Sequence, residues 1–328
     1  MRVYSSVDEA RGSFAPSVVT IGNFDGVHAG HRALLRQTIA MARQLGVKPS
    51  AVTFHPHPTA IVAPERTPKL LTTIEQRCEL MADAGIEQVL VIAFDRSVAA
   101  MEPAAFFNDV LLSALGARGI VVGDNFHFGR KQAGTVATLR VLGAASGVGI
   151  EIVPAVKRRG LTVSSSEVRR LLREGHVFTA GRLLDRPYAL TGDVVRGAGR
   201  GAKEVVPTLN LEVPSLDHVE RALPREGVYV TCTTDVRDGR AWQSITNAGY
   251  RPTFDGRHLT IETFLLQPLK EPSPARIRIE FMHWLRAEKK FDSPGELKAQ
   301  ILRDAARAIA WHRRRMRWTG MLQRLSSR

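Results

Sequence analysis

The sequence predicts two domains of different class, an α/β domain followed by a β domain. Up to about Gly181, short apolar stretches rich in β-branched residues alternate with segments of helical spacing. This alternation is typical of a parallel sheet with helices on both faces. Beyond that point, strand-like segments follow one another across glycine, proline and charged turns, which indicates an antiparallel barrel or sandwich. A chain of 328 residues is long enough for both.

In the first half, each predicted strand is a short apolar run and each predicted helix has an apolar face. The strands are 17–22, 49–54, 87–94, 118–123 and 150–156, and the helices are 31–46, 74–85, 102–116, 135–147 and 164–175. Gly46 is a typical residue after a helix end. Thr72 and Glu75 have the spacing of a capping box ahead of the second helix.

In the second half, six segments have strand-like composition and one helix closes the chain. The strands are 188–197, 208–213, 227–234, 242–250, 259–266 and 276–286. Ser293 is the predicted N-cap of the helix, Pro294 its first residue and Glu296 the partner in a capping box. This helix has one apolar face, formed by Leu297, Ile301, Leu302, Ala305 and Ile309.

Composition narrows the class of protein. The net charge is +14, but the last 18 residues, from Trp311, hold six arginines and no carboxylate, so the charge does not by itself select nucleic acid as a partner. We expect Cys78 and Cys232 to be separate buried thiols rather than a zinc site or a disulfide. We also expect a cytoplasmic protein without a membrane partner, because no stretch resembles a membrane span and charges interrupt the N-terminal segment.

The stretch "GNFDGVHAGH" follows the first predicted strand directly. In a parallel sheet, ligands bind at the carboxyl ends of the strands. Gly22, Gly26 and Gly30 let the backbone approach a ligand closely, and the helix start that follows attracts phosphate. His28 and His31 are three residues apart, so both can donate hydrogen bonds to phosphate oxygens as charge develops. The alternatives are two histidines that only cap and pack the helix, or a zinc site, for which no third ligand is indicated. The histidines of "FHPHP", His55 and His57, are interpreted as structural.

This stretch resembles the HxGH signature of the nucleotidylyltransferase superfamily. In its longer form, together with "FHPHP", "VVGDNFHFG" and "VSSSEVRRLL", it is similar to the adenylyltransferase module of the prokaryotic bifunctional riboflavin kinase/FAD synthetases. The resemblance implies a Rossmann-like domain in which His28 and His31 are catalytic and contact the ATP phosphates. It implies further residues that bind ATP or phosphate, namely Gly22, Asn23, Phe24, Asp25, Gly30, Ser164, Ser165, Ser166 and Arg169. Asn125 is a candidate flavin contact, and Ser166 stands where the family usually has threonine.

The second half is similar to the riboflavin kinase module of the same family through "GDVVRGAGRGAKEVVPTLNLEV", "NAGYRPTF" and "TIETFLL". Glycines at 197, 199 and 201 suit a loop between strands; an ordinary hairpin is the alternative, and the pattern is not a Walker A loop. Thr208 and Asn210, two apart on a strand, face the same side. The resemblance implies a β-barrel in which Gly197, Gly199 and Gly201 form the nucleotide loop, Thr208 and Asn210 hold Mg²⁺ or phosphate, and Glu262 is the catalytic base. The sequence departs from the family at Glu204–Val206, Leu209, Phe264 and Gln267–Pro268.

The whole resemblance implies two reactions, phosphorylation of riboflavin to FMN and adenylylation of FMN to FAD with release of pyrophosphate. ATP is the co-substrate of both, and Mg²⁺ the expected cofactor. We predict an adenylyltransferase domain at 1–180, a kinase domain at 181–310 and a basic tail at 311–328. Two alternatives remain: an FAD synthetase whose second domain only binds flavin, and a nucleic-acid-binding protein, which would show steep salt dependence. The oligomeric state is open.

Overall fold

The computed structural model describes residues 1–195, 208–212, 220–253, 256–269 and 272–326, with the backbone alone for 250–253, 256–259 and 316–326. The chain forms two compact units. The first contains Met1–Glu167 and also Ser215–Ala222, and the second contains Val168–Pro214 and Leu223–Arg328. A short segment from the middle of the second half is therefore part of the first unit.

The first unit is built on a parallel sheet of six described strands. These are β1 (Arg2–Tyr4), β2 (Ser17–Ile21), β3 (Lys48–His55), β4 (Gln88–Ala93), β5 (Ala117–Gly123) and β6 (Gly149–Val153). They lie in the order β1-β4-β3-β2-β5-β6, and all neighbours are parallel. The five predicted strands are confirmed, and the edge strand β1 was not predicted.

Helices connect the strands of this sheet. They are α1 (Val7–Ala10), α2 (Ala29–Leu45), α3 (Pro58–Val62), α4 (Ile74–Asp83), α5 (Arg96–Ala99), α6 (Pro103–Ala105) and α7 (Val136–Ser146). α8 (Ser165–Arg173) follows the last strand of the sheet, and from Val168 onward it belongs to the second unit. α6 continues into a π-helix at Phe106–Ala114, and 3₁₀ turns cover Pro64–Arg66 and Arg130–Gln132. Short antiparallel pairs join His127–Phe128 to Gly134–Thr135 and Lys157–Arg158 to Leu161–Thr162. As predicted, Gly46 ends α2 in the left-handed conformation.

The helices cover both faces of the sheet, as the alternating pattern predicts. Leu35 of α2 and Met81 of α4 pack with Val89 on one face. Leu111 of the π-helix and Leu139 of α7 pack with other strand residues on the opposite face. Because successive strand residues point to opposite faces, strands buried on both sides need continuous apolar runs.

The capping box of α4 lies one residue later than predicted. Thr73, not Thr72, is the N-cap, and its partner is Gln76, not Glu75. The spacing of three residues fits either pair, so the sequence pattern alone could not choose between them. Thr72 instead hydrogen-bonds to a buried carboxylate, which is described below.

The second unit contains a closed antiparallel barrel. Its described strands are β7 (Tyr188–Val195), β8 (Leu209–Glu212), β9 (Gly227–Asp235), β10 (Ala241–Thr253), β11 (Gly256–Leu265) and β12 (Arg276–Arg286), in the order β7-β8-β11-β10-β9-β12. The six predicted strand segments are confirmed, and the open choice between barrel and sandwich is settled as a barrel. Helix α9 (Val177–Leu184) precedes the barrel. It was not predicted, and the predicted boundary between residues 180 and 181 falls inside it.

Helix α10 (Pro294–Ser326) follows the barrel and packs on the outside of its strands. Ile301 and Ala308 of α10 pack with Val230, Ile245 and Leu285. Ser293 accepts a hydrogen bond from the Glu296 amide at 3.2 Å, so the predicted N-cap is confirmed. The Glu296 carboxylate accepts from the Asp292 amide, however, not from the Ser293 amide that a capping box requires. The helix continues through most of the predicted basic tail.

Candidate active sites

The loop between β2 and α2 has an unusual backbone. All five residues of β2 are buried. Phe24, Gly26 and Val27 then have φ angles of 47°, 84° and 37°. Left-handed conformations are costly for phenylalanine and above all for β-branched valine, so the surroundings must hold this loop in place.

The Asp25 carboxylate is the main anchor of the loop. Asp25 is 1% exposed. It accepts hydrogen bonds from the backbone N–H groups of Leu71 (3.0 Å) and Thr72 (2.9 Å) and from the Thr72 hydroxyl (3.0 Å). The buried Arg77 guanidinium lies 3.9 Å from the same carboxylate, and the Thr72 hydroxyl also accepts from the Gly26 amide at 2.9 Å. These partners place Asp25 within the protein interior; its predicted part in ATP binding stays a prediction.

The two histidines form a stacked pair where α2 begins. His28 is the N-cap, and its Nδ1 accepts from the His31 amide at 3.2 Å. The ring centroids are 3.6 Å apart with an angle of 13° between the planes. Because Nδ1 of His28 accepts, a neutral His28 carries its proton on Nε2 and can donate from there. His28 therefore caps α2, as the capping alternative states, and the phosphate-binding role of the pair stays a prediction.

His31 is held in the neutral form. Burial, followed by the charges of His28 and Arg77, holds the pKa of His31 well below its usual range. Its Nδ1 is buried and has no hydrogen-bond partner among the described residues. A neutral imidazole can donate one hydrogen bond to a phosphate oxygen without the cost of losing a proton near pH 7.

The serines of "SSSEVRR" reach this loop. Ser164 Oγ accepts from the Glu167 amide at 3.1 Å, as an N-cap of α8 does. Ser165 Oγ donates to the backbone carbonyl of Asp25 at 2.8 Å. A Cβ on Gly30 would lie 3.2 Å from the His28 ring and 3.6 Å from the Val163 carbonyl, so glycine permits a close approach here. The start of α8 and the histidine pair therefore lie together in the first unit.

The remaining predicted residues of this site include some that follow β2 and β5 at the carboxyl ends of these strands, and one, Arg169, that belongs to the second unit. Asn23 Nδ2 lies 3.3 Å from His57 Nε2, and His57 caps α3 through Nδ1, in agreement with a structural role for His57. The exposed Asn125 follows β5, the parallel neighbour of β2. Gly22 is half-buried and Ser166 is exposed, while Arg169 belongs to the second compact unit.

The candidate kinase site is assembled by strand register. Asn210 of β8 is paired with Glu262 of β11, and Glu262 is paired with Asn247 of β10. Residues paired in this way project from the same face of a sheet. Their neighbours Leu209, Thr263 and Thr246 alternate to the buried side, and Thr246 bonds the Thr263 hydroxyl at 2.7 Å. Thr208 is exposed just ahead of β8.

Sequence reasoning missed two residues of this group. Asn247 Nδ2 donates to the Glu288 carboxylate at 3.1 Å. That carboxylate lies so close to Gly249 that a Cβ there would be 2.8 Å from its Oε1. Asn247 is the first residue of "NAGYRPTF", but no spacing in the sequence relates it to Glu262 or Glu288. The predicted loop glycines 197, 199 and 201, like Glu204–Val206, lie outside the described residues.

Two features are absent from the described part of the chain. No helix there is long and apolar enough to cross a membrane. No group of three or more histidine, cysteine, aspartate or glutamate side chains there is placed to hold a metal ion. Cys78 and Cys232 are both free thiols; Cys78 is buried as expected, whereas Cys232 is only half-buried.

In comparison with known proteins, the two halves of the chain match two different protein families. A family model for FAD synthetase matches residues 11–167, and one for riboflavin kinase matches residues 184–312. The chain is 35% identical to a bifunctional riboflavin kinase/FMN adenylyltransferase of Pseudomonas fluorescens over 94% of this chain and 98% of that protein. It is 33% identical to the Escherichia coli K12 protein of the same name, over 88% and 90% respectively.

A solved structure also shares the fold. It is that of a Streptococcus pneumoniae protein described as a macrolide-efflux protein, with a TM-score of 0.82 and 26% identity, over 92% of this chain and 96% of that one. The similarity therefore extends over both halves of the chain.

Proposed function

The chain belongs to the bifunctional riboflavin kinase/FMN adenylyltransferase family, and from this premise we propose which of its residues carry each reaction. The protein phosphorylates riboflavin with ATP to give FMN, and it adenylylates FMN with a second ATP to give FAD and pyrophosphate. Because family models match both halves, the two-activity interpretation is favoured over an FAD synthetase with an inactive second domain.

We assign adenylyl transfer to the first half, predicted as 1–180. The observation that supports this most directly is the stacked His28–His31 pair at the start of α2. An FMN phosphate oxygen attacks the α-phosphorus of ATP, a new P–O bond forms, and the bond to pyrophosphate breaks. Negative charge grows on the phosphate oxygens during this step, and Nε2–H of His28 and the neutral ring of His31 donate to it. No protein nucleophile is needed.

The remaining residues of this site bind and orient. The loop residues Gly22, Asn23, Phe24, Asp25 and Gly30 bind ATP or its phosphates. Ser164–Ser166 and Arg169 grip the triphosphate, and Asn125 contacts the flavin. Hydroxyls at a helix start together with an arginine are a typical anion site. The bond from the Ser165 hydroxyl to the Asp25 carbonyl brings the start of α8 beside this loop, which supports a phosphate site there, but it uses the one O–H donor of Ser165.

We assign phosphoryl transfer to the barrel, predicted as 181–310, with Glu262 as general base. Its carboxylate takes the proton of the riboflavin 5′-hydroxyl while that oxygen attacks the γ-phosphorus of ATP and ADP leaves. The register pairing of Glu262 with Asn210 supports this role, because it places a carboxylate beside an amide that can hold a phosphate or its counter-ion. Gly197, Gly199 and Gly201 are proposed to form the nucleotide loop.

Mg²⁺ is the proposed cofactor. The hydroxyl of Thr208 and the amide oxygen of Asn210 are hard oxygen donors that suit Mg²⁺, which usually takes one or two protein oxygens together with phosphates and water. When bound, Mg²⁺ neutralises charge on the ATP phosphates. We also propose that the protein acts in the cytoplasm, where free thiols such as Cys78 and Cys232 persist.

The test is direct. The full chain is incubated with riboflavin, ATP and MgCl₂, and the products are separated by chromatography. FMN and FAD should both form, and FAD should also form from supplied FMN. FAD from supplied FMN with no FMN from riboflavin would instead establish the single-activity alternative. Omission of MgCl₂ with excess EDTA should stop both reactions.

A further inference from the structure

A short segment from the kinase half of the sequence is built into the first unit. Glu220–Ala222 lies between β8 and β9 in the chain, within the range that the riboflavin kinase family matches. Arg221 nevertheless forms a parallel β-bridge with Leu70. Two backbone hydrogen bonds of 2.9 Å make this bridge, from Leu70 N–H to the Glu220 carbonyl and from Ala222 N–H to the Leu70 carbonyl. The first unit is thus completed by residues that come about 50 positions after the end of its main segment, Met1–Glu167.

The Arg221 side chain is buried in this unit. It is 4% exposed, although a charged side chain is costly to bury unless it is hydrogen-bonded. Its Nη2 donates to the Leu71 carbonyl at 3.0 Å and to Gln76 Oε1 at 3.3 Å. Gln76 is the capping-box partner at the start of α4, so Arg221 contacts both the segment before α4 and the first turn of the helix.

The acceptor of Arg221 and the donor to Asp25 are the two ends of one peptide group. The Leu71 carbonyl accepts from the guanidinium, and the N–H of the same peptide, that of Thr72, donates to the Asp25 carboxylate at 2.9 Å. A cation at the carbonyl and an anion at the N–H polarise the peptide in the same direction, so each hydrogen bond strengthens the other. Asp25 in turn anchors the loop with left-handed residues at Phe24 and Val27, directly before His28.

We propose that Arg221 is a positioning residue for adenylyl transfer. It holds the Leu71–Thr72 peptide, through this peptide the Asp25 carboxylate, and through Asp25 the loop that sets the His28–His31 pair. The inference rests on the proposed function of that pair. It has a consequence for the organisation of the enzyme: the adenylyltransferase site depends on a segment encoded within the kinase half, which adds a later piece of chain to the predicted domain 1–180.

The test uses the full chain with Arg221→Met, Arg221→Gln and the control Glu220→Gln. Glu220→Gln removes only a solvent-exposed ion pair with Lys69 in the same segment, and such pairs contribute little. For Arg221→Met we expect kcat for FAD formation from FMN to fall by about 10- to 100-fold, because small displacements of catalytic groups can cost up to about 10² in rate. FMN formation from riboflavin should stay within about twofold, as should both rates of Glu220→Gln.

A purely structural role is separated by two readouts. Rates are taken well below the melting temperature of each variant, where a residue that only adds stability leaves kcat unchanged. Amide hydrogen exchange is followed in peptides that cover 22–31, where Arg221→Met should exchange faster and Glu220→Gln should not. If Arg221→Met does not fold, Arg221→Gln decides: its shorter, uncharged side chain lacks the cation that polarises the Leu71–Thr72 peptide, so kcat for FAD formation should fall in it as well.

The outcomes are distinct. A lowered kcat for FAD formation, with faster exchange at 22–31 and intact kinase activity, supports the proposal. A normal kcat in a folded Arg221→Gln or Arg221→Met protein overturns it, as does unchanged exchange at 22–31. If the wild type made no FAD at all, the proposed function would fail, and the exchange measurement would still decide whether Arg221 positions the loop.

Discussion

In the first unit, the residues proposed for catalysis follow one another in the chain, whereas in the barrel each comes from a different strand. Ten consecutive residues, 22–31, form the loop and the histidine pair. In the barrel, Asn210, Glu262 and Asn247 come together only because β8, β11 and β10 are in register. A site made of consecutive residues can be recognised in the sequence, but one made by register depends on how the strands pair.

This difference explains what the sequence could predict. The strands and the helices on both faces follow from local patterns, and the structure confirms them. It also brings His28 and His31 together at the start of α2, while their catalytic role stays a prediction. Asn247, Glu288 and Arg221 could not be found in this way, because their roles arise from contacts with residues far away in the chain. Thr72 is a further example. Its spacing from Glu75 fits a capping box, but its hydrogen-bond partner is the buried carboxylate of Asp25, 47 residues earlier in the chain.

The largest effect that would sharpen the comparison is expected at Glu262. Glu262→Gln keeps the shape and removes the base, so FMN formation should fall by about 10²–10⁴. FAD formation from supplied FMN should not change, since that site lies in the other unit. Initial rates of both reactions and a riboflavin-binding titration check this. The control is Glu280→Gln, which changes a carboxylate on β12 that contacts Arg278 at 3.1 Å. A normal rate of FMN formation in Glu262→Gln would mean that another residue is the base.

The second largest effect is expected at His31 in the first unit, where FAD formation should fall and FMN formation should not. His31→Ala removes one placed donor, so FAD formation should fall by about 10²–10³ while FMN formation continues. The change in ATP affinity should be modest, because the donor acts mainly on charge that develops during transfer. His176→Ala changes an exposed histidine at the start of α9 and serves as the control. Should His31→Ala make FAD normally, His28 and His31 would be helix-capping residues only.

A smaller effect is expected at Asn247, and it tests whether a residue paired with Glu262 on the neighbouring strand takes part in FMN formation. Asn247 is paired with Glu262 across the sheet, and its side-chain amide donates to the Glu288 carboxylate at 3.1 Å. Asn247→Ala removes this donor. Hydrogen bonds to charged groups contribute about 1.5–3 kcal/mol, so FMN formation should fall by roughly 10- to 100-fold. Gln243→Ala, four residues earlier on the same face of β10, is the matched control. Equal rates in the two variants would show that the pairing of Asn247 with Glu262 has no functional meaning.

The smallest effect concerns the stability of the first unit. His31 has a lowered pKa in the folded protein, chiefly because it is buried, whereas an unfolded histidine titrates near about 6.5. Above that pH both states hold a neutral ring, and His31 does not make stability depend on pH. As the pH falls below about 6.5, the unfolded chain takes up a proton that the folded chain does not, so stability falls by at most about 1.4 kcal/mol per pH unit.

Hydrogen exchange of peptides from α2 between pH 7 and 5.5, corrected for the intrinsic exchange rate, measures this slope in the wild type and in His31→Ala. The slope should be shallower in the variant for α2. It should be unchanged for β9–β12 and α10, although His283 on β12 and His312 on α10 also have lowered pKa values. Equal slopes for α2 would mean that folded His31 is protonated like an ordinary histidine, and the pair would then act on phosphate as a cation rather than as a neutral donor.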